Sequence, residues 1–375
     1  MKKIKFYEIA KLNKQYENNF ISNFKKINKN GRYILGKKVN IFEKKLADYC
    51  GAKYCVAVGN CVDAMKIVFM AYKIIGNLKD GDEVLVPANT YIASILGITS
   101  VNLKPIFTEP DNGTFNISIK DIKKKISKKT KAILAVDLYG QPADLFEIKK
   151  IAKKNNLILI EDAAQSLGAK IKNKMIGSVS DATCFSFFPG KNLGAFGDAG
   201  AITTNDKNLF KISKSLRNYG EDLFENLKDR KYKNTFKGVN SRMDEIQAAI
   251  LIDKLRDFNK FQSKRKQIAK YYLNNIKNNK ILLPKVDKIF DHGWHLFVIR
   301  CKSRNRLKRY LQKKNIETMI HYPIPPHKQK AFKELNKKRF NITEEITKEI
   351  LSLPIYPTLK PSEFKRIVSI LNNFK

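Results

Sequence analysis

The sequence predicts an α/β fold with a mostly parallel central sheet and a smaller α/β domain at the C-terminal end. Three observations carry this expectation. From about residue 40 to 255, short apolar runs alternate with amphipathic stretches, the rhythm of βαβ units whose strands are covered on both faces. Beyond about residue 256 that rhythm gives way to a lysine-rich helical stretch, one apolar strand and further helices. No internal repeat or low-complexity linker interrupts the 375 residues, enough for one large core and a smaller one. Residues 1–255 therefore read as a large domain with an N-terminal segment, and 256–375 as a small one.

The strands are expected, in order, at 55–58, 83–86, 104–107, 132–136, 157–160, 182–187 and 200–204, each a short apolar run bounded by polar or glycine residues. Helical periodicity is clearest over 62–74 and 145–155. Ser241-Arg242-Met243-Asp244 has the form of a capping box and predicts a long helix running toward Asn275. Residues 294–301 read as the strand of the small domain.

Composition narrows the function classes. Hydrophobic content of 43% with dispersed charge is that of a soluble globular protein, and no apolar run approaches the roughly 18 residues of a membrane span. The N-terminal stretch Met1-Lys2-Lys3-Ile4-Lys5-Phe6 has no apolar segment after its lysines, so a cytoplasmic protein is expected. Cys50, Cys55, Cys61, Cys184 and Cys301 include no CxxC pair and read as reduced core residues. His292, His295, His321 and His327 have no acidic or sulfur cluster around them, so no metal site is expected. The net charge of +38 raises the possibility of a non-catalytic polyanion-binding module. Its lysines are spread along the whole chain, however, and no nucleic-acid-binding motif accompanies them. The charge is read as solvated surface, with no specific nucleic-acid or membrane partner.

In open α/β sheets, ligands gather beyond the carboxyl ends of the strands. The residues at those ends form one set: Gly59-Asn60 after the first strand, Asn89-Thr90-Tyr91 after the second, Asp162 and Gln165 after the run at 157–160, Ser186 at the end of the next strand and Lys191 in the loop beyond it. An amine and an acid on one rim suit an aldehyde cofactor, pyridoxal 5'-phosphate (PLP): the amine holds it as an imine and the acid pairs with its ring nitrogen. Taken alone, Lys191 is one of many surface lysines. Gly190, Gly194 and Gly197 change that reading, because they let the backbone approach a bulky ligand. Asp162 alone is equally a helix cap, and its neighbour Glu161 should point the other way, into a structural role. Gly59-Asn60-Cys61 with Ser186 reads either as a phosphate cradle at a helix N-terminus or as an ordinary capped turn. Tyr91 reads as a ring that stacks on the cofactor or as core packing.

Together these segments resemble the DegT/DnrJ/EryC1/StrS family of PLP-dependent nucleotide-sugar aminotransferases, of the aspartate-aminotransferase fold class. The resemblance runs nearly end to end and is densest in GDEVLVPANTYIAS (81–94), VDLYGQPAD (136–144), IEDAAQSLG (160–168), FSFFPGKNLGAFGDAGAITTND (185–206), LRNYG (216–220) and KGVNSRMDEIQAA (237–249). It implies that Lys191 is the imine-forming lysine, Asp162 the partner of the ring nitrogen and Gln165 the donor to the ring hydroxyl oxygen. Gly59, Asn60, Cys61 and Ser186 fall at the phosphate, and Tyr91 covers the ring. It further implies a homodimer in which Asn240 reaches the cofactor phosphate of the neighbouring subunit, with Tyr219, His321 and Tyr322 falling where family members contact the sugar or stabilise the reacting ketimine. Two positions depart from the pattern: Asp137 stands where many relatives have His, and Ala199-Gly200 where Gly-Gly is usual. A sister group with histidine in place of the lysine forms sugar dehydratases, a route Lys191 argues against. The NTYIAS, LYGQPAD and FFPGKNLGA variants look most like the subgroup that aminates C3 of dTDP-linked 3-keto-6-deoxyhexoses with L-glutamate as donor. C4 amination of a nucleotide-linked 4-keto sugar is the alternative, and a PLP-bound regulator without turnover a further one.

Overall fold

The computed structural model describes residues 2–222, 232–286, 288, 291–335 and 339–375. Three helices, α1 (Ile9–Asn13), α2 (Glu17–Asn30) and α3 (Lys37–Cys50), lead into β1 (Tyr54–Val58) and α4 (Cys61–Ile75). The chain then alternates through β2 (Glu83–Pro87), α5 (Ile92–Thr99), β3 (Lys104–Thr108), α6 (Ile119–Lys125), β4 (Thr130–Val136), α7 (Leu145–Lys154) and β5 (Ile158–Asp162). A small hairpin, β6 (Lys170–Ile171) and β7 (Lys174–Met175), precedes β8 (Ala182–Ser186), β9 (Gly200–Thr204) and α8 (Lys207–Leu216). The remainder is α9 (Glu245–Arg256), α10 (Phe258–Asn275), β10 (Phe297–Arg300), α11 (Arg304–Lys313), α12 (Asn341–Glu349), β11 (Ile350–Leu353) and α13 (Pro361–Asn372).

The seven expected strands form one sheet in the order β1-β9-β8-β5-β4-β2-β3. Pairings among β2, β3, β4, β5 and β8 are parallel, whereas β9 runs antiparallel to both β1 and β8. The connection from β8 to β9 explains the reversal: it carries Lys191 but no helix, and a parallel return needs a crossover. Period-2 alternation sends each strand's side chains to two cores. Ile133 and Ala135 of β4 pack with Phe42, Leu145, Ile148 and Leu251 on one face; Ala132 and Leu134 pack with Val68, Ile98 and Leu209 on the other. A separate core joins Ile268 and Tyr272 of α10 to Phe297, Leu307, Leu351 and Ile367, and Ile4 from the N-terminal stretch belongs to it. Among the described residues no helix is long and apolar enough to cross a membrane.

Two expected elements differ. The helix expected from Ser241 to Asn275 is two helices broken at Asp257, and Asp244, not Ser241, precedes the first. The strand expected at 294–301 is confined to Phe297–Arg300, because Trp294 takes a left-handed φ of 47°. Both errors have one cause: apolar periodicity continues across a local backbone turn that it does not encode.

Parallel register brings the strand ends level. Val136, at the end of β4, pairs with Asp162, at the end of β5, and Asp162 pairs in turn with Cys184 near the end of β8. This rim carries the site.

Candidate active site

Asp162 is almost fully enclosed and its carboxylate is held from two sides. Ser94 Oγ donates to Oδ2 at 2.7 Å and the Ala164 amide donates to Oδ1 at 3.1 Å. Ser94 sits one turn into α5, its hydroxyl 2.8 Å from Thr90 Oγ1, so the loop after β2 braces the acid at the end of β5. Burial pushes the Asp162 carboxyl above the usual carboxylate range, while the bonds from Ser94 and Ala164 and the nearby Lys191 charge oppose the rise. Desolvation works in the opposite sense on Lys191, lowering its ammonium pKa against the pull of Asp162 and Cys61. The Lys191 amine makes no hydrogen bond or ion pair among the described residues, and Cys61 Sγ lies 4.0 Å from Asp162 Oδ1. A lysine whose ammonium form is weakened by burial and a buried acid thus lie together on the rim, as the sequence predicts.

Around this pair the structure gathers most of the other expected residues. Gln165 accepts the Tyr139 amide through Oε1 at 2.6 Å and donates from Nε2 to the Tyr322 hydroxyl at 3.0 Å, leaving its second N–H to give. Tyr322 lies against Tyr91 with ring centroids 4.8 Å apart, and Tyr91 is half exposed. His321 bonds Ser352 through Nδ1 at 2.8 Å, and burial together with the Lys191 charge lowers its pKa to about 4, so its ring is neutral at pH 7.

The turn that opens α4 is more structural than expected. Asn60 Oδ1 accepts the Asp63 amide and its Nδ2 donates to Asp63 Oδ2, both at 2.9 Å, so the side chain serves as the helix cap. The Gly59 amide donates to Ser241 Oγ at 3.0 Å, and Ser241 donates to Asp63 Oδ2 at 2.7 Å. What the turn leaves for an anion is the first-turn N–H of Cys61 and of Val62, which have no intrahelical acceptor. Ser186, at the end of β8, faces the same edge with its hydroxyl hydrogen uncommitted. A Cβ added at Gly200 would come within 2.5 Å of the Asn60 carbonyl carbon and 2.9 Å of the Cys61 nitrogen. Glycine is therefore required at 200 for the start of β9 to support this turn, and the alanine at 199 is harmless beside it.

Two expected residues lie elsewhere. Asn240 is exposed in an isolated bridge with Asn218, and Tyr219 is half exposed beneath the Arg242 guanidinium, 5.3 Å from its ring. Within one chain neither reaches the Lys191 cavity. Glu161 does point away from the site: its Oε2 accepts Ser180 and Thr183 hydroxyls at 2.8 Å. Buried Asp137, the departure noted in the sequence, accepts Ser166 Oγ at 2.7 Å and the Ala143 amide at 2.8 Å. Its carboxyl is raised by burial and by Glu161 beside it. It is thus an internal support for the loop after β4.

A cavity of about 330 Å³ opens beside Lys191 and is lined also by Phe188, His295, His321, Tyr322, Arg265 and Tyr7. A wider cleft of about 590 Å³, near Asp111, Gln141 and Lys170, contains none of the expected residues and is not the site. Sequence reasoning did not single out Ser94, His295 or Arg265. Ser94 lies inside the quoted NTYIAS stretch and could have been found as a polar residue one helical turn from Tyr91; the other two carry no spacing signal. Among the described residues no cluster of potential metal ligands exists.

The model of the DegT/DnrJ/EryC1/StrS aminotransferase family matches residues 14–372. The chain belongs to this family. It is 48% identical, over 99% of both chains, to a dTDP-3-amino-3,6-dideoxy-α-D-galactopyranose transaminase of Aneurinibacillus thermoaerophilus. Among solved structures it is similar to DesV of S. venezuelae in complex with a ketimine intermediate (TM-score 0.93, 33% identity, 99% and 98% of the two chains). It is similar also to NtdA of Bacillus subtilis with bound pyridoxamine phosphate (TM-score 0.90, 29% identity, 99% and 85%). The chain is a PLP-dependent aminotransferase of the aspartate-aminotransferase-like α/β fold. The residues present fit that cofactor: an amine and a buried carboxylate that make no ion pair among the described residues, a spare amide N–H on Gln165 and open N–H groups at the α4 turn are the donors and acceptors it needs.

Proposed function

We propose that the enzyme moves the amino group of L-glutamate to C3 of a dTDP-linked 3-keto-6-deoxyhexose, giving a dTDP-3-amino-3,6-dideoxyhexose for surface-glycan synthesis. The observation that carries the reading is full-length 48% identity to a transaminase named for such a product, joined to the Lys191–Asp162 pair. PLP, when bound, supplies an electron sink for the negative charge left when a proton leaves the carbon next to the nitrogen. The chain's residues do the rest. Asp162, kept in place by Ser94 and Ala164, would hold the ring nitrogen in its protonated form. Lys191 Nζ, its pKa lowered by desolvation, takes the α-proton of the donor and in the second half-reaction returns a proton to C3 of the sugar. Gln165, with one N–H to spare, would donate to the ring hydroxyl oxygen, and the Tyr91 ring, packed on Tyr322, would cover one face. The Cys61 and Val62 amides with the Ser186 hydroxyl would hold the phosphate, around the turn shaped by Gly59 and Asn60. His321 and Tyr322 face the sugar.

The reading includes a homodimer with shared sites. Asn240 and Tyr219 are exposed and outside their own chain's cavity, where residues serving a second copy would be, and Phe188 and Leu96 add exposed apolar surface. The test is product chemistry. Purified enzyme, PLP and L-glutamate are offered paired dTDP-linked 3-keto and 4-keto sugars, and proton NMR reads the carbon that gains nitrogen. Amination at C4 alone would overturn the C3 assignment; no amination of either sugar would overturn the substrate class. Sedimentation of the holoenzyme as a monomer at working concentration would overturn the shared site.

A further inference from the structure

Arg265 is a buried charge with no counter-charge. It lies on α10, is 2% exposed, and makes no ion pair among the described residues. Its Nη1 donates to the main-chain oxygens of Ile355 at 2.8 Å, Trp294 at 3.2 Å and His295 at 3.4 Å. Nη2 reaches the Tyr7 hydroxyl only at 3.4 Å, and the buried Nε–H has no partner. Beside it His295 is buried too, with Nδ1 unpartnered. Both residues line the 330 Å³ cavity that Lys191 shares; that lining holds two cations, two neutral imidazoles and no carboxylate. Interiors rarely leave such groups unanswered, and an unpaired buried charge is costly unless a ligand completes it.

We propose that Arg265, assisted by the Tyr7 hydroxyl and His295, is the binding site for a carboxylate of the amino donor. The inference rests on the aminotransferase reading and deepens it by placing the donor. Guanidinium geometry matches a carboxylate bidentately. The apolar remainder of the lining, Phe6, Ile9, Leu296, Met319 and Ile355, suits the methylene chain of a five-carbon amino acid. None of Gly59, Asn60, Asp162 or Ser186 lines this cavity, so it is space beside the cofactor residues and not their phosphate cradle. The diphosphate of the sugar nucleotide is the competing anion. The cavity lies at the small end of ligand pockets and its lining is largely apolar beyond the cations, which suits a short amino acid better than a doubly charged diphosphate, and the dTDP arm of the test separates the two.

The test titrates PLP-loaded enzyme calorimetrically with glutarate, a dicarboxylate without an amino group, and separately with dTDP. Arg265→Gln is expected to weaken glutarate about 10- to 100-fold, the range for a charge-assisted contact, while dTDP binding holds. In rapid mixing of that variant, the half-saturating L-glutamate concentration for the cofactor's absorbance change rises by a similar factor, with less effect on the saturating rate. Tyr7→Phe leaves the carbonyl contacts of Arg265 in place and stays informative if Arg265→Gln does not fold; it should weaken glutarate in the same direction by a smaller factor. Glutarate affinity unchanged in the folded variants, or dTDP affinity lost in place of it, would overturn the proposal. Tight, Arg265-dependent glutarate binding without any glutamate-driven absorbance change would instead sink the aminotransfer reading and leave the carboxylate site standing.

Discussion

The sheet rim beside Lys191, which forms one wall of the site without lining the 330 Å³ cavity, and the cavity's own far wall handle buried charge in different ways. On the sheet side, Asp162 is enclosed yet fully bonded, by Ser94 and Ala164, and the α4 turn below it is tied through Asn60, Asp63 and Ser241. On the far side, Arg265 Nε and His295 Nδ1 are enclosed and have no hydrogen-bond partner among the described residues. A cofactor that stays with the enzyme calls for a permanent, prepaid frame of hydrogen bonds. A substrate that enters and leaves each cycle calls for groups left incomplete, so that binding it is what satisfies them. The two walls are arranged as those two demands require.

Lys191, standing between the walls, gives the largest expected effect. Lys191→Ala should keep the fold, lose the visible band typical of a lysine-bound cofactor, and lower glutamate-dependent turnover by about four orders of magnitude, the upper range for removing a proton-transfer group. Turnover at the wild-type rate would remove the amine from the mechanism. Asp162→Asn probes the sheet wall: with no carboxylate to hold the ring nitrogen protonated, kcat should fall about 100- to 1000-fold. Ser94→Ala removes one of the two bonds on that carboxylate, and a loss of about tenfold in kcat with KM little changed is expected. If Ser94→Ala is silent, the sheet wall is not the pre-built frame described above. Gly200→Ala should cost about 1–3 kcal/mol of stability in urea unfolding and loosen PLP retention, since its Cβ meets the Asn60 carbonyl carbon at 2.5 Å.

The same contrast governs what could be read in the sequence. Asp162, Ser186 and Lys191 were legible because buried parallel strands are short apolar runs, and ligands collect where such runs stop. Those positions follow from local pattern. The direction of β9 was not legible, since an apolar run has no polarity; the helix-free loop that carries Lys191 sets it. Arg265 stands within Ser263-Lys264-Arg265-Lys266, where a lysine-rich helix makes it look like one more surface cation. Only the packing of α10 against Trp294 and Ile355 buries it. His295 follows a residue with left-handed φ, which breaks the alternation that would have oriented it. The far wall is built by tertiary contact between segments distant in sequence, from 29 residues for Arg265 with Trp294 to 315 for Phe6 with His321. Periodicity within a window carries no record of such meetings.

Lys254 sharpens the comparison with the smallest effect. It lies on α9 behind the Lys191 loop, donating to Asn13 Oδ1 at 2.9 Å and to the Gly194 carbonyl, and like Arg265 it has no acidic partner among the described residues. The Phe196 and Tyr16 rings, 5.6 and 6.0 Å from its nitrogen, offer only cation–π contact. Burial lowers its ammonium pKa from 10.5 to about 8. The folded chain therefore holds this proton more weakly than the unfolded chain does. Between about pH 8 and 10.5 the unfolded state keeps a proton that the folded state has released, so stability rises with pH across that window. Lys254→Met lacks the linkage. The unfolding free energy of wild type minus that of the variant should therefore increase by up to about 2 kcal/mol from pH 7 to 9.5, with the remaining titrations cancelling in the difference. Parallel pH dependence in the two proteins would show that Lys254 is compensated after all. Arg265 would then be the exception, and its lack of a counter-charge would belong to the donor site alone and not to a general tolerance of buried cations in this strongly basic chain.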